Sequence, residues 1–578
     1  MLAPIDWAVI GGYLLFALGI GFWVREGSQR GRRSYFLADR SLPWWWAGTS
    51  IAATTFAADT PLAVTGIVAS RGLSGNWLWL SWILVHAAVV AVFARRWWRA
   101  DVITDAEFIA RRYHDSAASA LRTFRAGLYG LVYNVIILGW VLRAMGKIVH
   151  PLFRWDEWTP GLHATVGRLM PDQAALGGPS ELITIVLLVV VVTTYSSLGG
   201  IRGVIRTDLV QFALGLVGSI WLAVAAWQAV GGRNGLATSL AELYGAGAGE
   251  YTALFPSLEQ GWAAAIGLGG FALGAYLLVQ AFANVPADGG GYLQQRLSAS
   301  RSADDAQKAA GLFVGLQYLI RTWPWFIVAM AAIVLVPIGD GPSALDPELT
   351  AMVRADRELA YPALMVALLP PGVFGVLVVS LLAAFMSTID THFNWGASYA
   401  VNDVVLRARP DLTDRQQVRV ARVEVVAFAI LAVVVAMQID RIEQAWRWVA
   451  ALGAALGGPT LLRWFWWRVT AVAELAGGAA GLVVAAATAA LGTVYERQLL
   501  WIAAASLAAM LLAIALGPRP READAREFAE QTSPPGFWPG RNPREALRGV
   551  ARAAGGTLAV AALVVTLLWA GHRFWFGG

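Results

Sequence analysis

The sequence predicts an all-α integral membrane protein of about 14 transmembrane helices with a 5+5 inverted-repeat core. Three observations predict it. Of the 578 residues 57% are hydrophobic and 14% charged, and the mean hydropathy is +0.57. Apolar runs of spanning length recur along the whole chain, beyond what a soluble core needs. The two halves are also each interrupted near their start, a pattern developed below. Helices rather than barrel strands follow because lipid offers the backbone no hydrogen-bond partner and the runs are far too long for strands.

Read in order, the first apolar run, 6–24, lacks a basic stretch before it and a small-residue cleavage site after it, so it is a retained helix and not a signal peptide. The next, 44–68, holds "SIAATTFAADTPL" (50–62), which places Thr54, Thr55, Asp59 and Pro61 inside an apolar segment. Runs at 76–98, 120–149, 181–198 and 203–230 follow between polar breaks. The segment 261–286 is again irregular, with "GLGGFALGAY" followed by "ANVPADGGGY". Then come 309–338, which encloses Arg321, and 371–400, which encloses "AAFMSTIDTHFN" (383–394). The remaining spans are 419–438, 443–466, 470–493, 498–517 and 554–573. Before the last of these, "QTSPPGFWPGRNP" (531–543) reads as an irregular linker, because its prolines and glycines forbid a continuous helix.

Basic charge is almost all arginine, with lysine only at Lys147 and Lys308, and it gathers in alternate loops: 25–40, 94–112, 407–422 and 518–552. Those loops belong on the cytoplasmic side of a cell membrane, which puts both termini outside. The opposite loops are poorer in base: 231–260 has Arg233 against Glu242, Glu250 and Glu259. Placed this way, the net charge of +6 needs no nucleic-acid partner. With no cysteine, disulfides and thiolate metal sites are excluded.

These breaks divide the chain into an N-terminal peripheral helix and loop (1–43), a five-helix half (44–230), an outer loop (231–260), a second five-helix half (261–469) and C-terminal peripheral helices (470–578) with a linker at 518–553. Five is odd, so the second half is threaded in the opposite sense to the first. Interrupted helices at matching places in two inverted halves point to a secondary transporter with a midplane site.

A broken helix exposes carbonyls and amides that are costly in hydrocarbon unless an ion, a ligand or a cavity satisfies them. Opposite the first break, Ala384, Ser387, Thr388 and Thr391 follow i, i+3, i+4, i+7 and share a helix face, with Asp390 on its flank. Such hydroxyls and carbonyls are hard oxygen donors for a small hard cation. The plain alternative is that they bond their own backbone. Asp59 also has two readings: contact with the solute or coupling, or else pairing with an arginine or capping the outer half-helix at Thr60–Pro61. Arg321 costs at least about 2.5–3.5 kcal/mol inside a span, so it faces a cavity or a carboxylate. Most of the 28 tryptophans sit at span ends as interfacial belts. Trp77, Trp79 and Trp82, with Tyr133, Asn134, Trp140, Gln280 and Asn284, are candidates to line a pocket with Thr55. "DGGGY" (288–292) follows no strand and reads as a turn, not a phosphate loop.

The stretches "SYFLADRSLPWWWAGTSIAATTFAADTPLAVTG" (34–66), "TYSSLGGIRGVIRTDLVQ" (194–211) and "AAFMSTID" resemble motifs of the sodium/solute symporter family, whose sugar, proline and sialic-acid carriers have a LeuT-type core. The resemblance covers roughly residues 6–470. It implies one sodium held by backbone carbonyls of Ala53, Phe56 and Ala384 and the hydroxyls of Ser387 and Thr388, with Asp208 close by. It implies that a second sodium, seen in some members, would use Asp208, Asp390 and Thr391, although Asp390 stands where other members have a hydroxyl. It also matches Arg321 to a basic residue that contacts substrate in sugar-carrying relatives, where a guanidinium would clamp a carboxylate or bridge hydroxyls.

The expected function is sodium-coupled symport of a small polar organic solute (sugar, amino acid or organic acid) by alternating access, with proton-coupled or uncoupled carriage as the alternative. Sodium, the solute and the lipid bilayer are the expected partners, with no obligate protein partner. An enzyme is not expected: the six histidines show no paired metal spacing and no G-x-S-x-G elbow occurs. A sensor is not expected either, since 518–552 is too short for a signalling domain.

Overall fold

The computed structural model describes residues 2–24, 32–171, 177–259, 261–265, 267, 269–283 and 286–577. The described residues are helical, joined by turns and two isolated bridges. The helices that build the core and its surround are α1 (Pro4–Val24), α2 (Trp44–Thr55), α3 (Asp59–Arg71), α4 (Leu73–Ala100), α5 (Ala118–Val149), α6 (Pro179–Ala229), α7 (Gly270–Ala281), α8 (Tyr292–Ala299), α9 (Ala303–Leu335), α10 (Val373–Ala408), α11 (Asp414–Ala436), α12 (Ile442–Phe465), α13 (Ala471–Ala490), α14 (Tyr495–Leu516) and α15 (Pro543–Trp575).

The break between α2 and α3 has its cause in Pro61. Its ring would collide with the carbonyl of Ala57 in a continuous helix, and it has no N–H to give that carbonyl. The same proline is harmless in the first turn of a new helix, where the N–H is unpaired anyway. The chain therefore stops at Thr55, restarts at Asp59 and bends by 53° between them. The second interruption is made by glycine: Gly267 has φ +64°, α7 begins only at Gly270, and after Ala281 the chain turns through Gly289 (φ +74°) and Gly291 (φ +68°) into α8.

Among the described residues eight helices are long and apolar enough to cross a membrane, and the bent α2/α3 pair makes a ninth. The expected fourteen spans thus exceed those that meet this test. Pro4–Ala17, Pro179–Thr194 and Gly270–Ala281 are apolar but shorter. The runs 419–438 and 443–466 fall on α11 and α12, whose charged residues, such as Arg422, Glu424 and Arg447, lower their hydropathy. Two local expectations are corrected. The break expected between 198 and 203 is helical, since α6 runs without interruption through it. The linker 518–553 is irregular only in its middle: Glu522–Thr532 is a helix, and α15 starts at Pro543, capped by the side chain of Asn542 on the Arg544 N–H. Of the basic loop 25–40, residues 25–31 lie outside the described residues.

Packing sets the site. Helix α6 runs along α10, α1 lies over both, α2 packs against α6 and α9, and α3 against the second half of α9. Helix α10 is buried along most of its length, including Ser387, Thr388, Asp390 and Thr391. Helices α12, α13 and α14 pack together, α12 also reaching α3 and α5, and α15 lies on α4. Among the described residues four helices contain a π turn, at Val89–Phe93, Leu128–Tyr133, Gly315–Ile320 and Ala400–Val405. Each inserts a residue into the helical repeat and so rotates the faces on either side of it, a feature often found near functional sites.

Candidate functional site

At the end of α2 the helical ladder opens. Phe56 N–H still reaches the carbonyls of Ala52 (2.9 Å) and Ala53 (3.0 Å), but Phe56 itself has ψ 63°, which turns its own carbonyl out of the helix. Helix α10 faces this opening. The Thr388 hydroxyl donates to Thr54 O at 3.0 Å and to Ala384 O at 3.1 Å. Beside it, Ser387 Oγ donates to Asp208 Oδ1 at 2.6 Å, and Ser50 Oγ to Asp208 Oδ2 at 2.5 Å. A serine that gives its proton to a carboxylate keeps its lone pairs for a cation, so Asp208 orients Ser387 without being the nearest ligand. Thr388 is thus brought to the last turn of α2, with Ser387 beside it on α10 and Ala384 one turn earlier, while Ala53 and Phe56 flank Thr54 and Thr55 at the break. Neutral hydroxyls and carbonyls are hard oxygen donors, of the kind that suits a hard monovalent ion. Among the described residues no group of three His, Cys, Asp or Glu side chains is placed to hold a metal.

The second set is differently occupied. Thr391 Oγ1 lies 2.9 Å from Thr54 Oγ1 and accepts from Arg296 Nη2 at 2.6 Å. The Arg296 side chain is completely buried, its Nε 3.4 Å from Ser50 Oγ and its Nη1 donating to Gln295 Oε1 at 3.0 Å. Asp390 is also fully buried, within electrostatic reach of Arg296, Tyr13 and Tyr35. A guanidinium therefore stands among Asp208, Asp390 and Thr391.

Beside the break, and walled in part by Thr54 and Thr388, lies a cavity of about 80 Å³. Thr55, Asp59 and Arg321 line it, as do Trp79, Trp82, Tyr133 and Trp140 from α4 and α5. Asp59 is buried at the first turn of α3, where a carboxylate is favoured by the helix dipole. Its Oδ2 accepts from Trp446 Nε1 at 3.0 Å, and its Oδ1 has no partner among the described residues. Asp59 and Arg321 do not form a salt bridge. Arg321 instead donates from Nη1 to Ala52 O at 3.1 Å and stacks over Trp325 and Phe56, which places its charge at the carboxyl end of α2. Thr55 Oγ1 donates to Gln317 Oε1 at 2.9 Å.

Three other candidates are directed elsewhere. Trp77 donates to Leu254 O at 2.8 Å and packs on Phe255, outside the cavity. Asn134 donates to His392 O (2.9 Å) and lies 2.6 Å from His392 Nδ1, behind the cavity wall. Gln280 donates to Leu78 O and accepts from Tyr495, tying α7 to α4 and α14. Asn284 lies outside the described residues. The sequence reading missed Trp446, Tyr292, Gln317, His86 and His392, which also line the cavity, and the buried Arg296. Only Arg296 carried a signal, being a charge in a glycine-flanked stretch next to an interrupted helix.

A broken helix facing paired hydroxyls, with a polar cavity beside it in an apolar helical core, defines an ion-coupled secondary transporter. The comparisons agree. The model of the sodium:solute symporter family matches residues 35–156 and 173–481, and the chain belongs to that family. It is 26% identical over 509 residues to a sodium/glucose cotransporter of Vibrio parahaemolyticus, covering 83% of this chain and 84% of that one. It is 23% identical over 503 residues to sodium/myo-inositol cotransporter 2 of Rattus norvegicus, covering 83% and 69%. Its fold is that of a sodium-coupled sialic acid symporter solved in a substrate-bound outward-open state: TM-score 0.68, 18% identity, 90% of this chain and 99% of that one. The protein is a multi-pass membrane carrier that couples movement of a solute to sodium, and not an enzyme.

Proposed function

We propose that the solute is a polyhydroxylated molecule of the sugar or cyclitol kind, bound in the cavity beside the α2/α3 break. The observation that carries this is a set of four buried polar atoms in the cavity wall with no partner among the described residues: Asp59 Oδ1, Trp82 Nε1, His86 Nε2 and Arg321 Nε. They come from three helices, α3, α4 and α9, and offer an acceptor beside donors, which suits hydroxyl groups that both give and take hydrogen bonds. Trp82 and Trp446, with ring centroids 6.0 Å apart, supply apolar faces for the C–H surface of a ring. An organic acid fits less well, because its carboxylate would meet Asp59. The relatives' names, sodium/glucose and sodium/myo-inositol cotransporter, support the same class.

On this reading one sodium is held by Ala53, Phe56, Ala384, Ser387 and Thr388, with Asp208 behind Ser387 and the Arg296 guanidinium in the place of a second ion. Residues 44–230 and 261–469 form the two inverted halves, and 1–43 and 470–578 are peripheral. The arginine-rich loops face the cytoplasm of a cell whose plasma membrane the protein spans, with both termini outside. Sodium favours the outward-facing state, and solute and sodium tighten each other's binding by the same factor.

The test is uptake into proteoliposomes under an imposed sodium gradient, using labelled glucose, galactose, myo-inositol and proline. Sodium-driven uptake of one of the polyols, with proline excluded, is the expected result. Uptake of proline alone, or uptake driven equally by a proton gradient without sodium, would overturn it.

A further inference from the structure

A second cavity, of about 540 Å³, lies far from the transport site, between the arginine-rich end of α4, the Ser533–Pro535 turn and the first turns of α15. Four guanidinium groups line it, Arg96, Arg541, Arg548 and Arg552, against a single carboxylate, Glu545. Two of the four are fixed in place by carbonyls. Arg96 Nε donates to Ser533 O at 3.0 Å, and Arg541 Nη1 to Pro534 O at 2.5 Å. The other two, Arg548 and Arg552, are one turn apart on α15, exposed, and form no ion pair among the described residues. Four like charges with one carboxylate among them repel one another unless a further anion joins them.

The surroundings say which anion. Helix α15 is among the least buried spans, and Leu558, Leu563 and Leu567 are 61%, 60% and 45% exposed. In a membrane such a surface is covered by acyl chains. Arg552 and Leu563 are eleven residues apart and so share one face of α15, about 16 Å apart along its axis at about 1.5 Å per residue. Ala91 and Val92 of α4 form the facing wall. The cavity thus joins a basic end at the membrane surface to an apolar strip running into the bilayer, the form of a phospholipid.

We propose that this cavity binds the phosphate of an anionic phospholipid, with the acyl chains lying along the seam between α4 and α15. A free phosphate shares the headgroup chemistry but gains nothing from the apolar strip. Arg548 and Arg552 are the residues that discriminate, since among the described residues no other group pairs with them. Basic pockets between spans on the cytoplasmic side are a recurrent place for such headgroups.

The test is native mass spectrometry of the full-length protein in detergent, with phosphatidylglycerol, phosphatidylcholine, or glycerol 3-phosphate added. Wild type would be compared with Arg548→Gln/Arg552→Gln and with Arg415→Gln/Arg419→Gln, which removes the same charge from the exposed start of α11. We expect phosphatidylglycerol to be retained by wild type and by the α11 variant. Its affinity should fall about 30-fold in the α15 variant, at about fivefold for each interfacial arginine. Equal retention by all three proteins, or equal binding of phosphatidylcholine, would overturn the assignment. Displacement of the lipid by millimolar glycerol 3-phosphate would overturn the lipid as occupant and leave a soluble phosphate site. Loss of retention in both variants would show a general charge effect and sink the site.

Discussion

The hydroxyl of Thr388 on α10 donates to the carbonyl oxygen of Thr54 on α2 at 3.0 Å, one residue before the helix ends. This contact joins two elements 334 residues apart at the point where the first has lost its ladder. Thr388 is therefore expected to tolerate serine but not alanine. Thr388→Ser keeps the oxygen and loses only a methyl group, so sodium-specific thermal stabilisation should persist. Thr388→Ala removes one oxygen donor, worth about 1 kcal/mol as a hydrogen bond and more toward a cation. The sodium concentration at half-effect should rise at least about tenfold. A titration of sodium against choline at constant ionic strength checks it, and unchanged sodium dependence in Thr388→Ala would remove this residue from the ion site.

Asp208 acts on the ion through Ser387. Outer partners that orient a ligand cost about 10–100-fold in metal affinity when changed. Asp208→Asn should weaken sodium binding by that factor, because an amide still meets one hydroxyl but no longer accepts from both Ser50 and Ser387. It also deprives the buried Arg296 guanidinium of the opposite charge of Asp208. Asp208→Glu, which restores charge in a longer side chain, is expected to recover part of the sodium dependence. Solute affinity measured at saturating sodium should change much less in either variant.

Asp59 belongs to the solute side. In Asp59→Asn the Trp446 indole keeps an acceptor, so the fold should be retained and the melting temperature little changed. What is lost is the second, unpartnered oxygen facing the cavity, replaced by an amide donor. A charged hydrogen bond contributes about 1.5–3 kcal/mol, so the solute KM should rise about 10–150-fold. Tryptophan fluorescence follows this directly, as Trp79, Trp82, Trp140 and Trp446 all line the cavity. A KM within twofold of wild type would place Asp59 among the purely structural groups.

The break at Pro61 was legible because a proline acts on its own helix, and the hydroxyls of Ser387 and Thr388 because they lie three and four residues from Ala384 on one regular helix. The cavity was legible only in part. Trp77, Trp79 and Trp82 look equivalent in sequence, yet the chain passes through a 3₁₀ turn at Leu73–Asn76 and irregular turns near Ser81, so a 3.6-residue repeat does not tell which indole faces inward. Asn134 and Trp140 lie six residues apart on one regular helix, so they point about 120° apart and only Trp140 faces the cavity. Trp446, His392 and Arg296 reach the site through contacts across the chain, which no local pattern records.

The last prediction concerns the number of ions. The Arg296 guanidinium is 2.6 Å from Thr391 Oγ1, and that hydroxyl is also shared with Thr54. Both oxygens of Asp208 already accept from serines. A second sodium among these groups would have to displace a fixed positive charge at close range, which in a low-dielectric interior is strongly unfavourable. Transport should accordingly depend on sodium hyperbolically, with a Hill coefficient close to one, and the charge moved per solute should correspond to one ion. Arg296→Gln would remove the resident cation and leave Asp208 and Asp390 without it. In that variant the sodium dependence should become steeper or shift to higher concentration, whereas Arg296→Lys should stay close to wild type. A Hill coefficient near two in the wild type would show that the arginine and a second ion coexist, and the site would then have to be redrawn around Asp390.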